Sequence, residues 1–278
     1  MGTPSFSTHI LSALYHTFPN SITAVITRPD TPKGRKKTPT PSPVKEWALA
    51  HTDLPIYTPQ SKSELSRLFS DISPDLVVVV AYGVILPKDV TDTYFCTNIH
   101  TSLLPHYRGA SPIQSALLNG DKSTGISLIK MNENMDEGDI LSKTEIPITP
   151  TDTFGHLESK LSTCASNLIV EWITNHWIPQ TYTLTPQNHQ MATYCSKISK
   201  DDLKLNLNLP AQTLLHKIKA YSPKPGAYIM YQNKRIKLLD ATVKDNELQI
   251  LTVQPEGKAP MSYSDYCLGN PKGCLNAD

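Results

Sequence analysis

Leu76-Val77-Val78-Val79-Val80 is an unbroken apolar run, bounded by Ser73-Pro74-Asp75 and Ala81-Tyr82-Gly83. A strand covered on both faces, as in a parallel sheet between helical layers, has this pattern. Upstream, helical spacing over Ile10–Tyr15, Val44–Ala50 and Leu65–Ile72 surrounds a short β-branched run at Ile22–Thr27. Downstream, Cys96–His100 and Ile126–Met131 read as strands and Pro112–Leu118 as a helix. Such alternation predicts an α/β fold with a doubly wound, mostly parallel, Rossmann-like sheet. Ligands of such sheets bind beyond the carboxyl ends of strands, where Ala81-Tyr82-Gly83 and Asn98–His100 both fall.

The pattern changes after residue 150. Leu157, Leu161, Ala165, Leu168 and Trp172 recur at helical spacing over 153–175, a core-facing stripe. A stretch rich in Thr, Pro and Gln over 176–200 has weak periodicity and reads as a linker. Beyond it, a helix at Leu214–Ala220 leads into Ser222-Pro223-Lys224-Pro225-Gly226. Short alternating segments follow at Ala227–Tyr231, Arg235–Leu239 and Leu248–Val253, the pattern of a small C-terminal β-barrel. The predicted division is a domain over 1–180, a linker over 181–200 and a second domain over 201–278.

Composition narrows the partners. Net charge is +1, so any nucleic-acid contact must be local. A basic, Pro-rich window at 28–43 holds Arg28, Lys33, Arg35, Lys36 and Lys37, and is long for a strand-to-helix loop. Such a loop is either simply solvated or a set of phosphate contacts. Five cysteines, with no CxxC pair, give neither a disulfide framework nor a zinc site, and point to a reducing compartment. No apolar run has membrane-spanning length, and residues 1–20 carry no basic n-region. A cytoplasmic monomer, away from membranes, is expected.

The chemistry concentrates between residues 98 and 139. Asn98 and His100 are two apart on a strand and project to one face. An amide there can hold an oxyanion, and an imidazole can move a proton. Glu133, Asp136, Glu137 and Asp139 form an acidic cluster. It is either a solvated turn or the source of an orienting carboxylate, and spacing does not separate Asp136 from Asp139. The cluster lacks the remainder of a calcium loop. Ser102-Leu103-Leu104-Pro105 ends the strand, and Gly83 after the strongest strand permits close backbone approach.

Asn98-Ile99-His100, the words SLLPHYRGASPIQSALLNGD that follow, and Met135-Asp136-Glu137-Gly138-Asp139 together resemble the 10-formyltetrahydrofolate-dependent formyltransferase family. Thr193–Ile198, Pro223–Tyr228 and Pro255–Lys258 resemble its linker and C-terminal β domain. The resemblance implies that Asn98, His100 and Asp136 are catalytic and that no metal takes part. It implies that Ser102, Leu103, Leu104, Pro105, Tyr82 and Gly83 line the site of 10-formyltetrahydrofolate, the co-substrate. Within the family, the window at 28–43 resembles the insertion of the branch that formylates initiator methionyl-tRNA. Arg35, with Lys33, Lys36 and Lys37, would then bind tRNA. Rival readings are formyl transfer to a sugar nucleotide or glycinamide ribonucleotide, and a non-catalytic tRNA-binding remnant.

Two departures stand out. Leu205-Asn206-Leu207 stands where the family usually has an Ile-Asp-Trp-like triplet. The family also has a strand ahead of a Gly-Thr-Pro like Gly2-Thr3-Pro4, so the chain looks like a fragment or one with an internal start. Low stability is the expected consequence.

Overall fold

The computed structural model describes residues 1–33 and 38–270. It divides into two compact units. One comprises Met1–Arg108, Gly125–Ile146 and Ser159–Tyr194; the other comprises Gly109–Thr124, Pro147–Glu158 and the chain from Cys195.

Helices of the first unit start where the sequence supplies caps. Ser42 accepts from the Lys45 N–H at 3.1 Å ahead of helix Pro43–His51, whose first residue needs no donor. Ser61 does the same for Glu64 at helix Lys62–Ile72, and the Glu64 carboxylate returns to the Gln60 N–H at 2.8 Å. The main sheet has the spatial order Leu76–Val79, Phe95–His100, Ser123–Lys130, Ile140–Pro147. Its first pair is parallel and its second antiparallel, with His100 opposite Ser127. Leu65 and Phe69 from the helix pack on Val77, Val79, Tyr82 and Cys96.

A second, parallel pair is Val25–Ile26 with Ile56–Tyr57. Met1 and Gly2 bridge it to the main sheet. The Gly2 N–H donates to the Ile26 carbonyl at 3.0 Å, and the Val80 N–H donates to the Met1 carbonyl at 2.9 Å. The Met1 ammonium donates to the Val78 carbonyl at 2.7 Å. Next to it lies a cavity of about 430 Å³, lined by Ile10, Leu14, Val25, Leu76, Val78 and Trp177 among others. Burial pushes the Met1 ammonium down to about 6.

In the second unit, helix Pro112–Asn119 ends at Gly120 (φ 68), where a β-carbon would run into the His216 ring of helix Ala211–Tyr221. Strands Ala227–Tyr231, Lys234–Lys244, Glu247–Pro255 and Met261–Ser262 form an antiparallel meander. Two of its turns are two-residue loops with both residues at positive φ, Gln232-Asn233 and Asp245-Asn246. Asparagine accepts that geometry, which matches strand twist. The fold class is therefore as predicted, an α/β unit followed by a small antiparallel one. Among the described residues no pairing closes the meander into a barrel.

Some elements carry no periodic signal. Helices Lys88–Thr93 and Tyr263–Gly269 are too short for one, and strand Ile140–Pro147 follows the acidic cluster. The basic window is not a plain loop: Thr31–Lys33 pairs antiparallel with Thr38–Thr40, and Lys45 clasps Asp30 at 2.9 Å.

Two outcomes follow from this packing. An apolar, β-branched extension of about five residues fused ahead of Met1 should enter the cavity as a parallel strand. Two or three newly buried side chains contribute about 1.5–3 kcal/mol each, so the melting temperature should rise by roughly 5–15 °C. Thermal melts followed by near-UV circular dichroism check this; an unchanged transition would show that the extension stays outside. Second, burial pushes the Cys96 thiol up to about 12. Its thiolate fraction at pH 8 is then about 10⁻⁴, so a thiol reagent should label it only in denaturant. Native labelling at Cys96, mapped by peptide mass, would contradict its burial.

Candidate active site

Strand Phe95–His100 carries Asn98 and His100 to its carboxyl end, two residues apart as predicted. Facing them is the loop between strands Ser123–Lys130 and Ile140–Pro147. Asp136 in this loop has φ 58, a left-handed conformation that a short polar side chain tolerates. Only glycine fits at 138, because a β-carbon there would collide with the Lys130 carbonyl.

The three predicted catalytic side chains converge. Asn98 Nδ2 donates to Asp136 Oδ1 at 3.2 Å, and His100 Nδ1 lies 3.6 Å from the same oxygen. His100 Nε2 is 2.8 Å from the Tyr107 carbonyl. A carbonyl only accepts, so the neutral ring carries its proton on Nε2. Nδ1 is then the basic nitrogen, and it faces the carboxylate. A proton taken up there creates an ion pair at a ring that is 6% exposed. Asp139 joins the neighbouring strand through its backbone: its carbonyl accepts from the Lys130 N–H at 2.9 Å. Asp136 is thus the aspartate placed beside Asn98 and His100.

The turn after the strand is built from its own hydrogen bonds. Ser102 Oγ donates to the His106 carbonyl at 2.6 Å. Ser127 Oγ donates to the Ser102 carbonyl at 2.7 Å and accepts from the Leu104 N–H at 3.0 Å. Ser102 and Leu104 are fully buried, so of the four predicted lining residues in this turn only Leu103 and Pro105 are partly exposed. The Tyr82 ring is likewise in the core, where burial raises its hydroxyl's pKa. What the loop after Leu76–Val79 exposes is Ala81, Gly83 (φ 80), Val84 and Ile85. The Arg28 side chain lies alongside, 3.7 Å from where a β-carbon of Gly83 would be.

Of the predicted tRNA contacts, Lys33 ends strand Thr31–Lys33, while Arg35, Lys36 and Lys37 lie outside the described residues. Two residues passed over in the sequence, Arg108 and Gln187, are buried beneath the Asp136 loop. Their only sequence signal is polarity in a polar context, which does not distinguish a buried partner from a solvated one. Among the described residues, no cluster of His, Cys, Asp and Glu is placed to hold a metal, and no helix is long and apolar enough to cross a membrane.

Compared with known proteins, residues 1–173 match the formyl transferase family model and residues 197–249 the formyl transferase C-terminal domain. A methionyl-tRNA formyltransferase of Latilactobacillus sakei is 38% identical over 97% of this chain and 93% of its own. The structure of a methionyl-tRNA formyltransferase from Clostridium thermocellum superposes with TM-score 0.54 at 22% identity, covering 76% of this chain and 90% of that one. An N-formyltransferase from Helicobacter canadensis, in complex with folinic acid and dTDP-3-aminofucose, superposes with TM-score 0.68 at 17% identity, covering 88% and 86%. At such identities the two structures speak for the fold.

Proposed function

The chain belongs to the formyl transferase family and, within it, to the methionyl-tRNA formyltransferases, and we propose that Asn98, His100 and Asp136 are its catalytic residues. The donor in this proposal is 10-formyltetrahydrofolate, and the acceptor is the α-amine of methionine on initiator tRNA. Its product primes translation. The observation that carries the assignment is the meeting of Asn98 and His100 on one oxygen of Asp136.

The neutral amine attacks the formyl carbon and a tetrahedral oxyanion forms. Asn98 Nδ2 has one N–H on Asp136, which orients the amide, and the second donates to the oxyanion. His100 Nδ1 takes the proton lost by the amine, and Asp136 balances the imidazolium. The C–N10 bond breaks as N10 receives that proton, leaving the formylated amine and tetrahydrofolate. Both substrates in one cleft supply the proximity contribution.

For the folate, the exposed residues Gly83–Ile85 and the half-buried Leu103 and Pro105 would offer a flat ligand main-chain groups and apolar contact. We assign the window at 28–43, Arg35 foremost, to the acceptor stem of the tRNA, and residues 201–278 to further tRNA contact. Residues 1–180 then form the catalytic domain and 181–200 the linker, in a monomer working in the cytoplasm. A sugar-nucleotide acceptor is disfavoured, since a small acceptor has no use for a clasped basic loop.

Steady-state formyl transfer to Met-tRNA tests the roles. His100→Ala should lower kcat by roughly 10²–10⁴-fold, the usual size of a general acid–base contribution. Asp136→Asn should nearly abolish transfer and Asp139→Asn should be mild; the reverse order of damage would remove Asp136 from the mechanism. For the RNA loop, Arg35→Ala should raise KM for Met-tRNA and flatten its salt dependence, because a lost phosphate contact releases fewer counterions. The folate KM should stay put. An altered folate KM beside an unchanged tRNA KM would contradict the assignment.

A further inference from the structure

The guanidinium of Arg108 is fully buried, and each of its five N–H groups has an acceptor. Nε and Nη2 both donate to Gln187 Oε1, at 3.1 and 2.8 Å. Nη2 also reaches His189 Nδ1 at 3.2 Å, and Nη1 reaches Glu137 Oε1 at 2.9 Å and the Tyr194 hydroxyl at 3.3 Å. Gln187 is thereby held by its oxygen, and its orientation is fixed by its partners. Its Nε2 has two carbonyls to meet: Asp136 at 2.9 Å and Gly138 at 2.7 Å. These are the residue at φ 58 and the glycine that no β-carbon can replace.

We propose that Gln187, anchored on Arg108, is a positioning residue that holds Asp136 in its left-handed conformation, so that one carboxylate oxygen stays against both Asn98 and His100. It acts on the backbone of Asp136 and touches no reacting atom. A buried cation needs matched acceptors to be tolerated. Arg108 therefore fixes the Gln187 amide more tightly than a solvated partner could, and the fixed amide in turn fixes the loop. Glu137, between Asp136 and Gly138 in sequence, closes the arrangement from the other side of the guanidinium. A left-handed aspartate left unsupported would relax to commoner backbone angles and swing its carboxylate away from the strand. This rests on the assignment of Asp136 as the catalytic carboxylate.

The test is Gln187→Glu, which keeps the shape and the acceptor for Arg108 but turns a carboxylate toward the two carbonyls. In formyl transfer to Met-tRNA, kcat should fall about 10–100-fold, with both KM values within about twofold and little change in melting temperature. The same change in an Asp136→Asn background, followed by single turnover, should cost less than about twofold. Arg108→Lys, which keeps the charge and loses the fork, should repeat the pattern and guards against a variant that misfolds. Equal losses in both backgrounds, or an unchanged kcat, would overturn the positioning role while leaving the catalytic triplet standing. Full activity of Asp136→Asn would overturn both.

Discussion

A guanidinium out of water has to find acceptors for every N–H, and Arg108 finds them on two separate stretches of chain while sitting on a third. Glu137 comes from the acidic loop, Gln187, His189 and Tyr194 from the segment after the long helix, and Arg108 itself from the turn that follows the Asn98 strand. Their own secondary structure is short: Arg108–Gly109 pairs with Tyr194–Cys195 as two-residue strands, and His189–Met191 is a single 3-10 turn. The cost of leaving the charge unmatched is several kcal/mol, which is enough to hold them together. The same segment also stitches the turn directly: Thr193 accepts the Tyr107 N–H through Oγ1 and the Arg108 N–H through its carbonyl, both at 2.8 Å. Tyr107 in turn presents the carbonyl that fixes the His100 tautomer. The stretch after residue 180 thus belongs to the scaffold of the proposed catalytic site.

Where one chemical cause acted alone, the sequence was readable. The run Leu76–Val80 reads as a strand, and Leu76–Val79 is one, beside Phe95–His100; Val77 and Val79 are buried, while Leu76 and Val78 are half-buried and line the cavity. Two-residue spacing sufficed to put Asn98 and His100 on one face. Where two causes give the same letters, it was not. A Gln in a Thr- and Pro-rich stretch looks solvated, yet Gln187 is buried by a partner 79 positions away. Asp136 and Asp139 share a context, and only the return path of the loop sends one carboxylate to the strand. Ser102 and Leu104 sit in a motif that reads as ligand-lining, but a turn needs internal hydrogen bonds before it can offer anything outward. Short helices such as Lys88–Thr93 are held by tertiary contacts, with no periodicity of their own to betray them.

The Tyr82 ring turns inward while residues Gly83–Ile85 are exposed. In the proposed co-substrate site, a flat molecule using the main chain of this stretch would meet amide groups that are common to every amino acid. Drift in the side chains of this loop can change its apolar fringe but not its donors and acceptors. An inhibitor built on that stretch would consequently be hard to escape by single substitutions, since resistance would require the whole loop to shift. The same property makes the stretch a poor place to seek selectivity between related enzymes. Discrimination would have to come from the periphery, where this chain places the charge of Arg28 and the exposed side chains of Val84 and Ile85.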